Sequence, residues 1–245
     1  MAAGEGAAQG WFAHAGWPAG LEDVPVVSSQ PDAGPSRAFP GMGTAPIGLY
    51  PVVDSADWIR RLLPLGVSTI QLRIKQGPPE HIRREISEAI ALGRHYGARV
   101  FINDYWQQAL ELGAWGVHLG QEDLDGADLA ALRQAGIRLG ISNHSEREIA
   151  RAHALQPSYL ALGPIFETTT KVMRFAPQGL ERLQGWVQLL DGRYPLVAIC
   201  GIDELRAGPV LATGVGNIAV VRAITESVDP GAATRRLCRQ VAAGD

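Results

Sequence analysis

The densest chemistry in the chain lies in the run Gln71-Leu72-Arg73-Ile74-Lys75. Read as an extended strand, its alternation sends Gln71, Arg73 and Lys75 to one side and Leu72 and Ile74 to the other. A face carrying an amide and two cations cannot sit in a dry core without anionic partners. An internal ion pair would satisfy it. A bound phosphate or diphosphate accounts for both cations better, since arginine offers a two-pronged fork and lysine a point charge. Two carboxylates follow: Asp104 just after the apolar run Arg99–Asn103, and Asp123 in Gly120-Gln121-Glu122-Asp123. Aspartate often does no more than cap a helix. Beside Arg73 and Lys75, the pair suits Mg²⁺, which takes one or two carboxylates and completes its shell with water and phosphate oxygens.

Further along, Ser142 in Ser142-Asn143-His144 either bonds a substrate or starts the next helix, where Ser145 and Glu148 form a capping box. His118 lies inside an apolar run and reads as a satisfied core histidine ahead of a proton shuttle. The stretch Gly163–Lys171 holds Thr168, Thr169, Thr170 and Lys171. Hydroxyls and a cation of this kind suit phosphate oxygens on a lid, against the plainer reading of a solvated polar loop. Gly201, after one late apolar run, and Val221-Arg222, after the next, stand where a phosphate cradle of backbone N–H groups would form. A second phosphate there, facing the cation and metal cluster, describes a transferase with two phosphorylated ligands.

These residues need a scaffold that brings them to one rim. From Ile47 onward, short β-branched runs alternate with amphipathic stretches. The strands expected are Gly48–Val53, Ser68–Ile74, Arg99–Asn103, Gly116–Leu119, Arg138–Ile141, Tyr159–Leu162, Leu196–Ile199 and Asn217–Val221. Helices are expected over Ala56–Leu63, Glu80–Tyr96, Trp106–Leu112, Asp128–Ala135, Glu146–Leu155, Leu180–Leu190, Arg206–Thr213 and Pro230–Val241. Strand–helix pairs in this number predict an α/β fold, a (β/α)₈ TIM barrel, with its site at the C-terminal ends of the strands. The barrel domain is expected over 46–245. Residues 1–45, rich in Gly, Ala and Pro, form an irregular N-terminal extension, either a flexible leader or linker of a longer fused chain, or a segment whose Trp11, Phe12, Trp17 and Phe39 dock on the barrel or on a second subunit.

With 46% hydrophobic and 19% charged residues, the chain can build one sizeable core. A net charge of −3 without a lysine or arginine run argues against nucleic acid and anionic membranes as partners. No apolar run approaches the ~20 residues of a membrane span, and the start lacks the order of a secretory signal. Cys200 and Cys238 provide neither a disulfide framework nor a thiolate metal cluster, so a reducing cytoplasm is the expected setting. A monomer and a homo-oligomer both remain open.

The run Gln71–Lys75, the segments Phe101–Asp104 and Gly116–Leu124, the stretch Gly163–Phe166 with Thr168, Thr170 and Lys171, and the segments Ala198–Ile202 and Ala219–Ile224 together resemble the thiamine-phosphate synthase family over residues 46–230. The resemblance implies a Mg²⁺-dependent condensation of a hydroxymethylpyrimidine diphosphate with a thiazole phosphate, by departure of diphosphate and capture of a pyrimidine-methyl cation. It implies that Gln71, Arg73, Lys75, Asn103, Ser142 and Lys171 hold the pyrimidine diphosphate. Asp104 and Asp123 would bind the metal, and Thr168, Thr170, Gly201, Val221 and Arg222 would surround the thiazole phosphate. Arg73, Lys75 and Lys171 would carry the catalysis by drawing charge onto the leaving group. A thiazole tautomerase on the same barrel, and a catalytically silent barrel that binds thiamine precursors, are the alternatives. Four positions depart from the family pattern: Asn143 for Thr, Glu167 for Pro, Cys200 for the first of two glycines, and Arg222 for a frequent Ser. If position 200 has positive φ, its side chain costs about 1–2 kcal/mol, and weakened thiazole-phosphate binding is expected.

Overall fold

A computed structural model describes residues 38–168, 175–190 and 192–244. Eight strands form the wall: β1 (Leu49–Val53), β2 (Thr69–Leu72), β3 (Arg99–Asn103), β4 (Gly116–Leu119), β5 (Arg138–Asn143), β6 (Tyr159–Leu162), β7 (Leu196–Ala198) and β8 (Asn217–Val220). Each pairs in parallel with the next, and β1 closes on β8, so the sheet is a barrel without edges. The helices outside it are α1 (Ala56–Leu62), continued by a tight turn Leu63–Leu65, α2 (Pro79–Tyr96), α3 (Trp106–Leu112), α4 (Leu129–Gln134), α5 (Glu146–Leu155), α6 (Gly179–Leu190), α7 (Glu204–Leu211), α8 (Arg222–Thr225) and α9 (Pro230–Ala243). Among the described residues no helix is long and apolar enough to cross a membrane.

Strand alternation divides the apolar residues into two cores. Leu72, Ile102, Val117 and Ile141 face outward and meet Ile82, Ile86 and Ile90 of α2 and Leu132 of α4 in the outer layer. Each such buried side chain contributes ~1.5–3 kcal/mol relative to exposure. The inward set is Tyr50, Phe101, Tyr159, Ala161, Val197 and Ala219. Its large rings fit because glycines stand beside them. A methyl group at Gly140 would lie 2.2 Å from the Tyr159 ring, and one at Gly116 would lie 2.4 Å from Phe101. The lumen is thus filled by side chains, as expected for a packed barrel of this size.

The N-terminal mouth is stoppered by the segment 38–47. Met42 and Ile47 enter the inner core. The buried Arg99 guanidinium donates to the carbonyls of Ala45 (2.8 Å) and Pro46, and to Ser68 Oγ (3.2 Å). Phe39 N donates to Gln156 O, Ser158 Oγ donates to Pro40 O, and Arg133 lies over the Phe39 ring. Phe39 therefore docks on the barrel, whereas Trp11, Phe12 and Trp17 fall outside the described residues. With its base sealed, the barrel offers ligands the opposite mouth.

Element ends depart from the sequence expectation by small, explicable amounts. Strand β2 stops at Leu72, since Arg73 N still bonds Val53 O but no ladder partner follows for Ile74. Strand β5 runs on to Asn143, which pairs with Leu162. Helix α7 begins at Glu204 because Asp203 accepts from Leu205 N and Arg206 N. The short helix α8 was not expected from periodicity, and at four residues it is too brief to show any.

Candidate active site

The C-terminal mouth receives most of the residues singled out by their chemistry. At the end of β2, Gln71 points into the lumen and is buried, while Leu72 and Ile74 join the outer core. Arg73 is half-buried just beyond it, and Lys75 is exposed. Among the described residues Arg73 forms no ion pair, so the internal-pair explanation fails for that cation. Asn103, at the end of β3, is buried opposite His118 in the β3–β4 register.

Asp104 follows with φ of 63°, a left-handed conformation that aspartate adopts more readily than most residues but still at a cost. Its N–H donates to His118 O (3.0 Å), and its carbonyl accepts from Trp106 N (2.7 Å). The backbone is thereby locked in a kink that leaves the Asp104 side chain exposed at the rim. On the next loop, the Asp123 carboxylate accepts from Gly120 N (3.1 Å) and is held against its own turn. Arg151 of α5 ties that loop down, donating to Gln121 O (3.0 Å) and Asp125 (2.5 Å).

Gln121 joins this loop to β5. Its Nε2 donates to Ser142 O (3.0 Å) and Asn143 Oδ1 (3.2 Å), while its Oε1 is buried without a hydrogen-bond partner among the described residues. Asn143 is fully buried and donates to Ile141 O (2.8 Å) and Ala161 O (3.3 Å). The departure from Thr at this position therefore has a local use, since the amide fills three hydrogen-bond roles at once. The expected capping box at α5 forms in a shifted way. Ser145 Oγ accepts from Glu148 N (3.3 Å), but Glu148 reaches back to His144 N (2.7 Å) rather than to Ser145.

A hydrogen-bond chain crosses the lumen beneath these residues. Gln71 Nε2 donates to the Tyr50 hydroxyl (3.2 Å), which lies 2.9 Å from the Tyr159 hydroxyl. Tyr159 meets His118 Nδ1 (2.6 Å), and His118 Nε2 meets Ser142 Oγ (2.8 Å). Burial pushes the Tyr50 and Tyr159 hydroxyls above the ordinary tyrosine range, so both keep their protons. His118 is a satisfied core histidine with both ring nitrogens engaged. Tyr50 and Tyr159 were missed by sequence reasoning. The usable signal was that a buried tyrosine at an inward strand position needs a partner for its hydroxyl.

On the far side, the loop after β6 lies along the end of β7, with Ile165 N donating to Ile199 O (3.0 Å) and Phe166 N to Cys200 O (3.2 Å). Gly201 has φ of 68°, and a methyl group there would sit 2.5 Å from Glu167 O and 2.7 Å from Phe166. Its missing side chain thus admits this loop. Arg206 stacks on Phe166 and donates to Gly201 O (2.7 Å). Cys200 has φ of 76°, the positive value on which the strain expectation depended. Thr168, Val221 and Gly201 are half-buried near this corner, Glu167 is exposed, and Arg222 is exposed with its guanidinium 3.8 Å from Glu226. Thr170 and Lys171 lie outside the described residues.

The donor chemistry of the rim suits Mg²⁺. Asp104 and Asp123 supply carboxylate oxygens, the hard donors that Mg²⁺ takes, while no group of three His, Cys, Asp or Glu that could hold a metal occurs among the described residues.

The family model for thiamine monophosphate synthase matches residues 49–224. A curated thiamine-phosphate synthase of Pectobacterium atrosepticum is 57% identical over 195 residues, covering 80% of this chain and 92% of that protein. One from Escherichia coli is 56% identical over 199 residues, covering 81% and 94%. The solved structure of thiamine phosphate pyrophosphorylase from Pyrococcus furiosus superimposes with a TM-score of 0.71 at 32% identity, covering 81% of this chain and 96% of that one. By sequence and by barrel alike, the chain belongs to the thiamine monophosphate synthase family.

Proposed function

We propose that the chain joins a hydroxymethylpyrimidine diphosphate to a thiazole phosphate, giving thiamine phosphate and releasing diphosphate. The observation that carries this reading is the placement of Gln71, Arg73, Asn103, Asp104, Asp123 and Ser142 at the ends of four consecutive strands, β2 to β5, of one closed barrel. The cations Arg73 and Lys75 after β2 stand next along that arc to the carboxylates Asp104 after β3 and Asp123 after β4, as suits a metal-bound diphosphate. Thiamine-phosphate synthases at 55–57% identity support the reaction class, and neither the tautomerase nor the silent-barrel reading is favoured by them.

In this reading the pyrimidine ring lies between Gln71, Asn103 and Ser142, with its diphosphate toward Arg73, Lys75 and Lys171. The C–O bond to the diphosphate breaks, and the electron pair leaves with the phosphate oxygen. Arg73, Lys75 and Lys171 stabilise the charge that builds there, in a site where fixed donors need no reorganisation. Asp104 and Asp123 would hold Mg²⁺, which neutralises diphosphate charge when bound. The thiazole nitrogen then captures the ring methylene, and no protein nucleophile takes part. Thr168, Thr170, Gly201, Val221 and Arg222 surround the thiazole phosphate and hold that nitrogen toward the methylene. The loop carrying Thr168 and Lys171 excludes water from the cation. Two phosphorylated small molecules are the partners.

The test is turnover by the purified chain with both substrates, with and without Mg²⁺. Metal-dependent formation of thiamine phosphate is expected. Product without metal would remove the roles of Asp104 and Asp123, and binding without product would favour the silent barrel.

A further inference from the structure

The chain of hydrogen bonds through the lumen has a direction, and the direction follows from counting protons. The Gln71 Nε2 that contacts Tyr50 can only donate. Each tyrosine hydroxyl has one proton to give. With the Tyr50 oxygen already accepting from Gln71, its proton passes to Tyr159 (2.9 Å), whose own proton passes to His118 Nδ1 (2.6 Å). A neutral imidazole that accepts at Nδ1 carries its proton on Nε2 and donates it to Ser142 Oγ (2.8 Å). The Ser142 proton is then left for the mouth of the barrel. At the other end, the Tyr50 contact takes one of the two Nε2 protons and fixes the amide, which leaves Gln71 its Oε1 as an acceptor beside one further N–H. Reversing the chain would leave the Tyr50 proton without a place among these groups.

We infer that Tyr50, Tyr159 and His118 are positioning residues that fix Ser142 as a hydrogen-bond donor and Gln71 as an acceptor, so that the mouth selects an aminopyrimidine over an oxopyrimidine. An aminopyrimidine offers the complementary pair, an acceptor ring nitrogen and a donor amino group. An oxopyrimidine presents an N–H and a carbonyl instead, and meets donor with donor and acceptor with acceptor. The three residues span β1, β6 and β4, while the two they orient stand on β2 and β5. Their burial keeps water from breaking the sequence of donors, and buried networks of this kind are sensitive to the loss of one member. The inference rests on the reading that a pyrimidine substrate occupies this mouth, and it adds how the ring is chosen.

Two measurements on the full chain test it. The first needs no substrate: ¹⁵N–¹H correlation of the histidine side chains, with His118 identified by its shift in Tyr159→Phe. Protonation at Nε2 is expected, and a proton on Nδ1 overturns the proposed direction. The second is kinetic, with Tyr159→Phe and Tyr50→Phe, which keep the rings that pack the lumen. Each is expected to raise the pyrimidine-diphosphate KM by about tenfold, the scale of one lost buried hydrogen bond, and to leave the thiazole-phosphate KM unchanged. The preference for an amino over an oxo analogue as inhibitor should fall in the same variants. A change in both KM values alike, or in neither, would show a merely structural role and sink the idea. A wild-type chain that turned over neither substrate would count against the condensation reading, and the histidine tautomer would then decide the network alone.

Discussion

Cys200 offers a clean test of how a backbone angle shapes this mouth. Its φ of 76° lies in the left-handed region, where a side chain costs about 1–2 kcal/mol. Cys200→Gly removes that cost, but glycine loses more chain entropy on folding, which returns ~0.4–1 kcal/mol. The net gain is about 0.5–1 kcal/mol, or a rise in Tm of about 2–3 °C for a chain of this length. Cys200→Ala is the matched control, since it deletes the thiol but keeps the Cβ and therefore the strain. Urea unfolding of the three proteins should place Cys200→Gly at the highest midpoint, with m unchanged, and Cys200→Ala near the wild type. An alanine variant as stable as the glycine variant would refute the strain argument. If strain also displaces the cradle beside Gly201, Cys200→Gly lowers the thiazole-phosphate KM. An unchanged KM would confine the effect to stability.

Other sites make equally definite predictions. Gly140→Ala drives a methyl group into the Tyr159 ring at 2.2 Å, so a loss of ~2–3 kcal/mol in urea unfolding is expected, and a loss below ~1 kcal/mol would mean the lumen repacks freely. If Asp123 holds Mg²⁺ as proposed, Asp123→Asn replaces a charged ligand by a neutral one and should raise the Mg²⁺ concentration needed for half-maximal activity by about tenfold, measured by metal titration. Glu146 of α5 resists the upward push of burial because Arg182 and Trp186 donate to it, and its carboxyl stays below the usual 4.5. A depressed carboxyl stabilises the fold fully above that value and loses its contribution as pH falls below it. Glu146→Gln should therefore flatten the loss of stability in acid, and parallel wild-type and variant curves between pH 5 and about pH 3 would contradict the assignment.

The fold was legible because two periods alternate. Inward Gln71 and outward Leu72 and Ile74 follow from a period of two, and the helix face of Ile82, Ile86 and Ile90 from a period near four. Reading site residues at strand ends then needed only the rule that such barrels work at one mouth. What stayed hidden was long-range or conformational. Tyr50 and Tyr159 stand 109 residues apart on strands that are not neighbours, so their hydroxyl contact exists only once the barrel closes. The ordering of residues 38–47 comes from Arg99 bonding to backbone carbonyls, which no side-chain pattern displays. The left-handed turn at Asp104 had no glycine to announce it. Gln121 looked like one polar loop residue among several, yet it links the Asp123 loop to Ser142 and Asn143.

The proposed condensation depends on one rim gathering cations and carboxylates around a departing diphosphate. A crystal structure of the chain soaked with Mg²⁺ and diphosphate tests it most directly. The diphosphate should contact Arg73 and Lys75, with a metal ion bridging its oxygens to Asp104 and Asp123. A diphosphate bound at the base beside Arg99, or a metal that touches neither aspartate, would contradict the account.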